Sequence, residues 1–150
     1  MKVPSAIACI LLVMASSAAA QTPKSAMPKL STSWGKVMNE GLALDRLIQI
    51  VDSSLTVKDD KGASLPVTGF RINYTFISTY KDQESGELKT TKEFRAMDVT
   101  DGSILPDLWK ESIRDNAKPG DDIVINKILV RQKNGKKTMA PDLRLHVTDK

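Results

Sequence analysis

Of 150 residues only one is cysteine, one is histidine and 5% are aromatic. The cysteine, Cys9, lies inside an apolar run that reads as an export leader. Once that leader is removed the chain has no disulfide, no thiolate nucleophile and no cysteine metal ligand. Nucleophilic catalysis needs a base beside its nucleophile, and metal sites need clustered ligands. His146 stands alone for either task, on the polar face of a C-terminal strand. Carboxylates remain as the other candidates, but Asp59-Asp60 and Asp121-Asp122 are adjacent pairs beside turn glycines. Neighbours in an extended chain point to opposite faces, so turn chemistry explains them better than calcium does. "DVTDG" (98–102) lacks the spacing of an EF-hand loop, and no glycine motif could cradle a phosphate. A chain this small also leaves little room for a cleft with paired catalytic acids. The expectation is a non-enzymatic protein with no cofactor and no metal.

Charge of one sign is scarce as well. There are 22 Lys and Arg against 18 Asp and Glu, a net +4. Loss of Lys2 with the leader lowers the excess to three, too mild for a nucleic-acid footprint. No nucleic-acid partner is expected.

The N-terminus carries the compartment signal. Lys2 supplies a positive start, "AIACILLVMA" (6–15) an apolar segment, and Ala18 and Ala20 an A-x-A cleavage site before Gln21. The apolar run is too short to span a bilayer as a helix. Residues 1–20 therefore read as a signal peptide, and the mature protein as periplasmic or secreted, with no stable membrane insertion after cleavage. Without covalent staples it must stand on an ordinary hydrophobic core.

Residues 21–45 read as a flexible lead-in, rich in Pro, Ser, Thr and Lys at its start. A helical turn near 36–45 and a strand within 46–57 are expected from mixed signals: Leu44, Leu47, Ile48 and Val51 recur at helical spacing, but "LIQIV" is β-branched. After the turn "KDDKG" (58–62), Phe70, Ile72, Tyr74 and Phe76 alternate with polar residues, a half-buried strand. "LKTTKEFRAMDV" (88–99) reads as its returning partner. Pro106, Asp107 and Glu111 open a helix whose stripe contains Leu105, Leu108, Trp109 and Ile113 and which stops before Pro119. Trp109 and Ile113 are expected to close one end of a sheet pair. "DIVINKILVR" (122–131) is a long strand, and Asn134-Gly135 makes a tight hairpin because both positions tolerate positive φ. Because Pro141 interrupts the residues after that turn, the returning strand is placed at "LRLHV" (143–147). Short strands, regular turn signals and one short helix predict an all-β fold, an immunoglobulin-like antiparallel β-sandwich over 46–150.

Interaction features outnumber chemical ones. Arg131, Lys133, Lys136 and Lys137 make a basic knob at the hairpin, either a docking site for an acidic partner or a turn kept soluble by charge. Trp34 is either a partner anchor or a side chain folded back over the sandwich. Asn73-Tyr74-Thr75 fits a glycosylation sequon, but its place in mid-strand argues for coincidence.

The stretch from "VTGFRINYTFIS" (67–78) to "PDLRLHV" (141–147) resembles the C-terminal domain of the gliding-motility protein family GldM, also called PorM. The residues that carry the resemblance are Phe70 and Ile72, Ile113, "KPGD" (118–121), Ile123, Ile125 and Ile128, Gly135, and Leu143 and Leu145. It implies a β-domain of the periplasmic shaft of type IX secretion and gliding machinery in Bacteroidota-type bacteria, where the last domain touches ring components. This chain has a cleavable leader in place of a membrane anchor, so the contact role transfers and the motor role does not. The resulting expectation is a protein that binds another cell-envelope protein by strand addition at an open hairpin edge. The alternative is a small-ligand module holding a glycan or peptide near Tyr80, Trp34 and the 81–87 loop.

Overall fold

A computed structural model describes residues 29–150. The signal peptide and the start of the lead-in lie outside the described residues.

The strongest period-two signal becomes the spine of the larger sheet. Strand β5 (Val67–Lys81) buries Phe70, Ile72 and Tyr74 and leaves Arg71, Asn73 and Thr75 half-covered on the other face. On one side it pairs antiparallel with β6 (Leu88–Val99), on the other with β7 (Asp122–Arg131). Beyond β7 lie β8 (Lys137–Ala140) and β9 (Leu143–Thr148), and β9 carries β2 (Glu40–Ala43). A three-stranded sheet of β1 (Ser31–Trp34), β3 (Leu55–Lys58) and β4 (Ser64–Leu65) supplies Trp34, Leu55 and Val57 to the same core. The fold is an all-β sandwich with two short helices, α1 (Leu44–Ile50) and α2 (Asp107–Asn116). One strand pair, β2 with β9, is parallel.

Three departures from the sequence reading have clear causes. The lead-in expected over 21–45 is structured from Ser31 onward. Gly35 and Lys36, at φ 53° and 71°, form a two-residue turn that pairs Trp34 with Val37. A Cβ on Gly35 would stand 2.8 Å from Ile50, so this turn needs glycine for space as well as for φ. Second, of the strand expected within 46–57 only Leu55–Val57 is strand, as the start of β3, while Arg46–Ile50 is helix. Leu47 and Ile50, three residues apart, both face the core, and that burial outweighs the β-branched content of "LIQIV". Third, the hairpin returns at once, as β8. Pro141 sits in the bend between β8 and β9, and its carbonyl accepts a 2.8 Å hydrogen bond from the buried Thr32 hydroxyl. Proline there interrupts the strand without ending it, because the bend needs no ladder donor from it.

The long strand β7 keeps its register by means of one extra residue. Ile123 and Ile125 are buried, then Ile128 and Val130, so the period slips between them. Lys127 stands at φ 49°, exposed, where the pairing with β5 shifts. A bulge there returns the next two aliphatic side chains to the core. Helix α2 packs on the core through the fully buried Ile113, while Trp109 is only partly covered and Leu108 is 76% exposed.

Candidate functional site

Gln132, Lys133, Asn134 and Gly135 form the hairpin turn between β7 and β8. The Gly135 N–H donates to the Gln132 carbonyl and the Gln132 N–H to the Lys136 carbonyl, each at 2.9 Å. Only Gly135 has positive φ, at 80°, so the geometry is a regular turn closed by a glycine bulge rather than the two-residue turn expected at Asn134-Gly135. The Asn134 side chain instead accepts from the Lys136 N–H. This conformation presents Arg131, Lys133, Lys136 and Lys137 to solvent, all four exposed. Among the described residues no ion pair engages any of them. Arg131 and Lys137 face each other directly across the hairpin, a like-charge pair that disfavours the strand register holding it. Lys133 shares a surface cleft with Asp59, Asp60 and Lys61 of the β3–β4 turn, so mixed charge flanks one side of the knob.

Trp34 does not belong to this surface. Its side chain is 1% exposed, and its indole N–H donates to the Ser53 carbonyl at 2.9 Å. The reading of Trp34 as a partner anchor is therefore corrected: it folds back into the sandwich, because the turn at Gly35 aims its strand at α1. Tyr80, the other aromatic of the small-ligand alternative, is 49% exposed on the distal part of β5. The two aromatics form no common platform.

A second polar constellation is internal. Asp121 is fully buried. Its carboxylate accepts from the Tyr74 hydroxyl at 2.8 Å, the Ile77 N–H at 3.0 Å and the Lys118 N–H at 2.9 Å. Its backbone carbonyl accepts from Val147 N–H, and the neighbouring Gly120 N–H donates to the Val147 carbonyl. The "KPGD" segment is thus a knot joining the end of α2 to β5 and β9. Burial, then the bond to Asp121 and its charge, push the Tyr74 hydroxyl well above the ordinary tyrosine range near 10. A folded-state value raised in this way gives stability that is complete below pH 10 and drains away as pH climbs above it. The unfolding midpoint should therefore fall more steeply between about pH 10 and 11.5 for the native chain than for Tyr74→Phe. Parallel pH profiles would contradict the knot's role.

His146 and Asp122 meet at 2.7 Å on the exposed face, along a shallow groove also lined by Glu40 and Arg144. No serine, threonine, cysteine or lysine lines the groove. Among the described residues no three His, Cys, Asp or Glu side chains gather closely enough to hold a metal ion. None of their helices is long and apolar enough to cross a membrane.

The β5–β6 pair was expected from sequence, but its extension past β7 as an arm was not. From Phe76 to Lys81, β5 has left β7 and pairs with β6 alone. Strand β6 is therefore an edge over its whole length, with Leu88 76% and Phe94 64% exposed. The signal lay in the composition of "LKTTKEFRAMDV", whose first eight residues are all exposed. They offer no apolar alternation for a core to use.

No protein-family model, curated protein or solved structure matches this chain. Fold and surface are thus the basis for a functional reading.

Proposed function

We propose that this chain is an exported, non-enzymatic β-sandwich protein that binds another cell-envelope protein, one with an acidic surface, through the Arg131–Lys137 hairpin. The observation that carries this reading is the like-charge pair Arg131 and Lys137, held face to face with no carboxylate partner among the described residues. An acidic partner would turn that repulsion into two charge-assisted hydrogen bonds. Among the described residues strand β8 ladders with β7 alone, which favours strand addition beside the knob. The resemblance of residues 67–147 to the GldM/PorM C-terminal domain adds a setting, the type IX secretion or gliding machinery. With its leader cleaved, the chain would act there as a contact component.

Reversal of Lys133, Lys136 and Lys137 to Glu tests the proposal. The substituted side chains are exposed and unpaired, so the thermal midpoint should stay within a few degrees of the native value. Capture of the acidic envelope partner by the tagged, exported chain should fall at least tenfold, roughly 1.4 kcal/mol or more. Native capture that is insensitive to both the reversal and added salt would exclude the knob as the contact.

A further inference from the structure

The arm carries an inference independent of the basic knob. Among the described residues strand β6 ladders with β5 alone, so one row of its backbone N–H and C=O groups faces outward at the sheet's edge. The ladder continues one step past its formal end, since the Asp82 N–H donates to the Glu87 carbonyl. On one face of β6 lie Leu88, Thr90, Lys92 and Phe94, across from Lys81, Thr79, Ile77 and Thr75. Lys89, Thr91, Glu93 and Arg95 occupy the other. Arg95 lies over the Phe76 ring at 5.0 Å, and neither it nor Glu93 has an ion-pair partner among the described residues.

We infer that β6 pairs antiparallel with β6 of a second copy of this chain, with Thr91 on the two-fold axis. A perpendicular two-fold makes each residue face one of the same face and the same parity. With Thr91 at the centre, Lys89 faces Glu93, Leu88 faces Phe94, and Glu87 faces Arg95, each twice. The two most exposed apolar side chains of the edge cover each other, Glu93 meets Lys89 (which also pairs with Asp82), Glu87 meets Arg95, and Lys92 faces the neutral Thr90. Neighbouring registers lack this property. Centring on Lys92, Glu93 or Arg95 opposes like charges on the axis, centring on Thr90 sets Glu87 against Glu93, and centring on Phe94 leaves Leu88 without an apolar partner. Such self-complementarity is a property of this sequence against itself, and a foreign strand has no reason to match it. Six residues of the overlap, Leu88–Glu93, lie opposite the arm beyond β7, whereas Phe94 and Arg95 lie opposite Thr75 and Tyr74, which still pair with β7. The knobs lie at the other end of the sheet, where Arg131 N–H meets the Pro66 carbonyl. At about 3.3 Å per residue, a dimer would display two knobs on the order of 70 Å apart, facing opposite ways.

The test uses the full chain with Cys9→Ser and Thr91→Cys, which makes residue 91 the sole cysteine. Mild oxidation should yield a disulfide-linked dimer, whereas a control with Cys9→Ser and Lys61→Cys, in an exposed turn, should stay monomeric. Sedimentation equilibrium of the native chain should show twice the monomer mass, with dimerisation weakened at least tenfold by Phe94→Asp while the circular dichroism is unchanged. A chain that remains monomeric from micromolar to millimolar concentration overturns the inference. So does a dimer indifferent to Phe94→Asp that fails to link through residue 91. A monomer whose β6 amides become protected only when envelope extract is added gives the edge to a foreign strand and equally overturns self-pairing.

Discussion

Asp121→Ala should destabilise the fold by about 3–5 kcal/mol, read as a lower urea midpoint at unchanged slope. The carboxylate is fully buried and receives three donors, from Tyr74, Ile77 and Lys118. Truncation leaves all three short of an acceptor, and each unmet buried group costs about 1–3 kcal/mol, reduced where water can enter. Asp121→Asn should lose less, since one oxygen remains for the Tyr74 and Lys118 donors while the amide faces the Ile77 N–H. Tyr74→Phe should lose least, because it removes a donor and strands nothing but part of a carboxylate that keeps two others. This order of loss is itself diagnostic. An Asp121→Ala loss below about 1 kcal/mol would mean that the knot does not hold β5, α2 and β9 together.

Trp34→Ala is the other large effect, about 3–5 kcal/mol, because a buried indole is replaced by a cavity the surroundings fill only in part. Trp34→Phe separates the packing from the bond: it keeps most of the volume and loses the donor to Ser53, for about 1–2 kcal/mol. An anchor for a partner would behave differently, with binding lost and stability kept. A native-like midpoint for Trp34→Ala would therefore return this side chain to the interaction surface.

The residues behind the family resemblance turn out to be builders of the fold. Gly120 takes φ 96°, and a Cβ there would stand 2.9 Å from Ile77. Asp121 ties three elements, and the step from Ile125 to Ile128 spans the bulge at Lys127. Such residues can be shared by sandwiches with different partners, so function has to be argued from the surface.

What could be read in the chain tracked the range of the forces involved. Alternation in β5 and β9 was legible because one face of each strand meets the core and the other meets water. The helix at Asp107–Asn116 was legible from its start and stop residues. The parallel pairing of β2 with β9 was not, because it joins residues about a hundred positions apart and leaves no local pattern. Burial of Trp34 stood as one of two readings, because its hydrogen-bond partner Ser53 becomes a neighbour only when α1 folds. The knob was visible as charge beside Asn134-Gly135, and the structure exposes all four of its basic side chains. Both strands of the arm were legible, but its run beyond β7 escaped notice because residues 88–95 are exposed and give no apolar rhythm.

Contact through the knob is most directly measured by placing a photo-crosslinking side chain at Lys136 and, as a control, at the exposed Glu111 of α2, in the exported chain in living cells. The account predicts one acidic envelope protein attached at residue 136, absent at residue 111 and lost when Lys133 and Lys137 are reversed to Glu. No adduct at residue 136, or the same adducts at both positions, would contradict it.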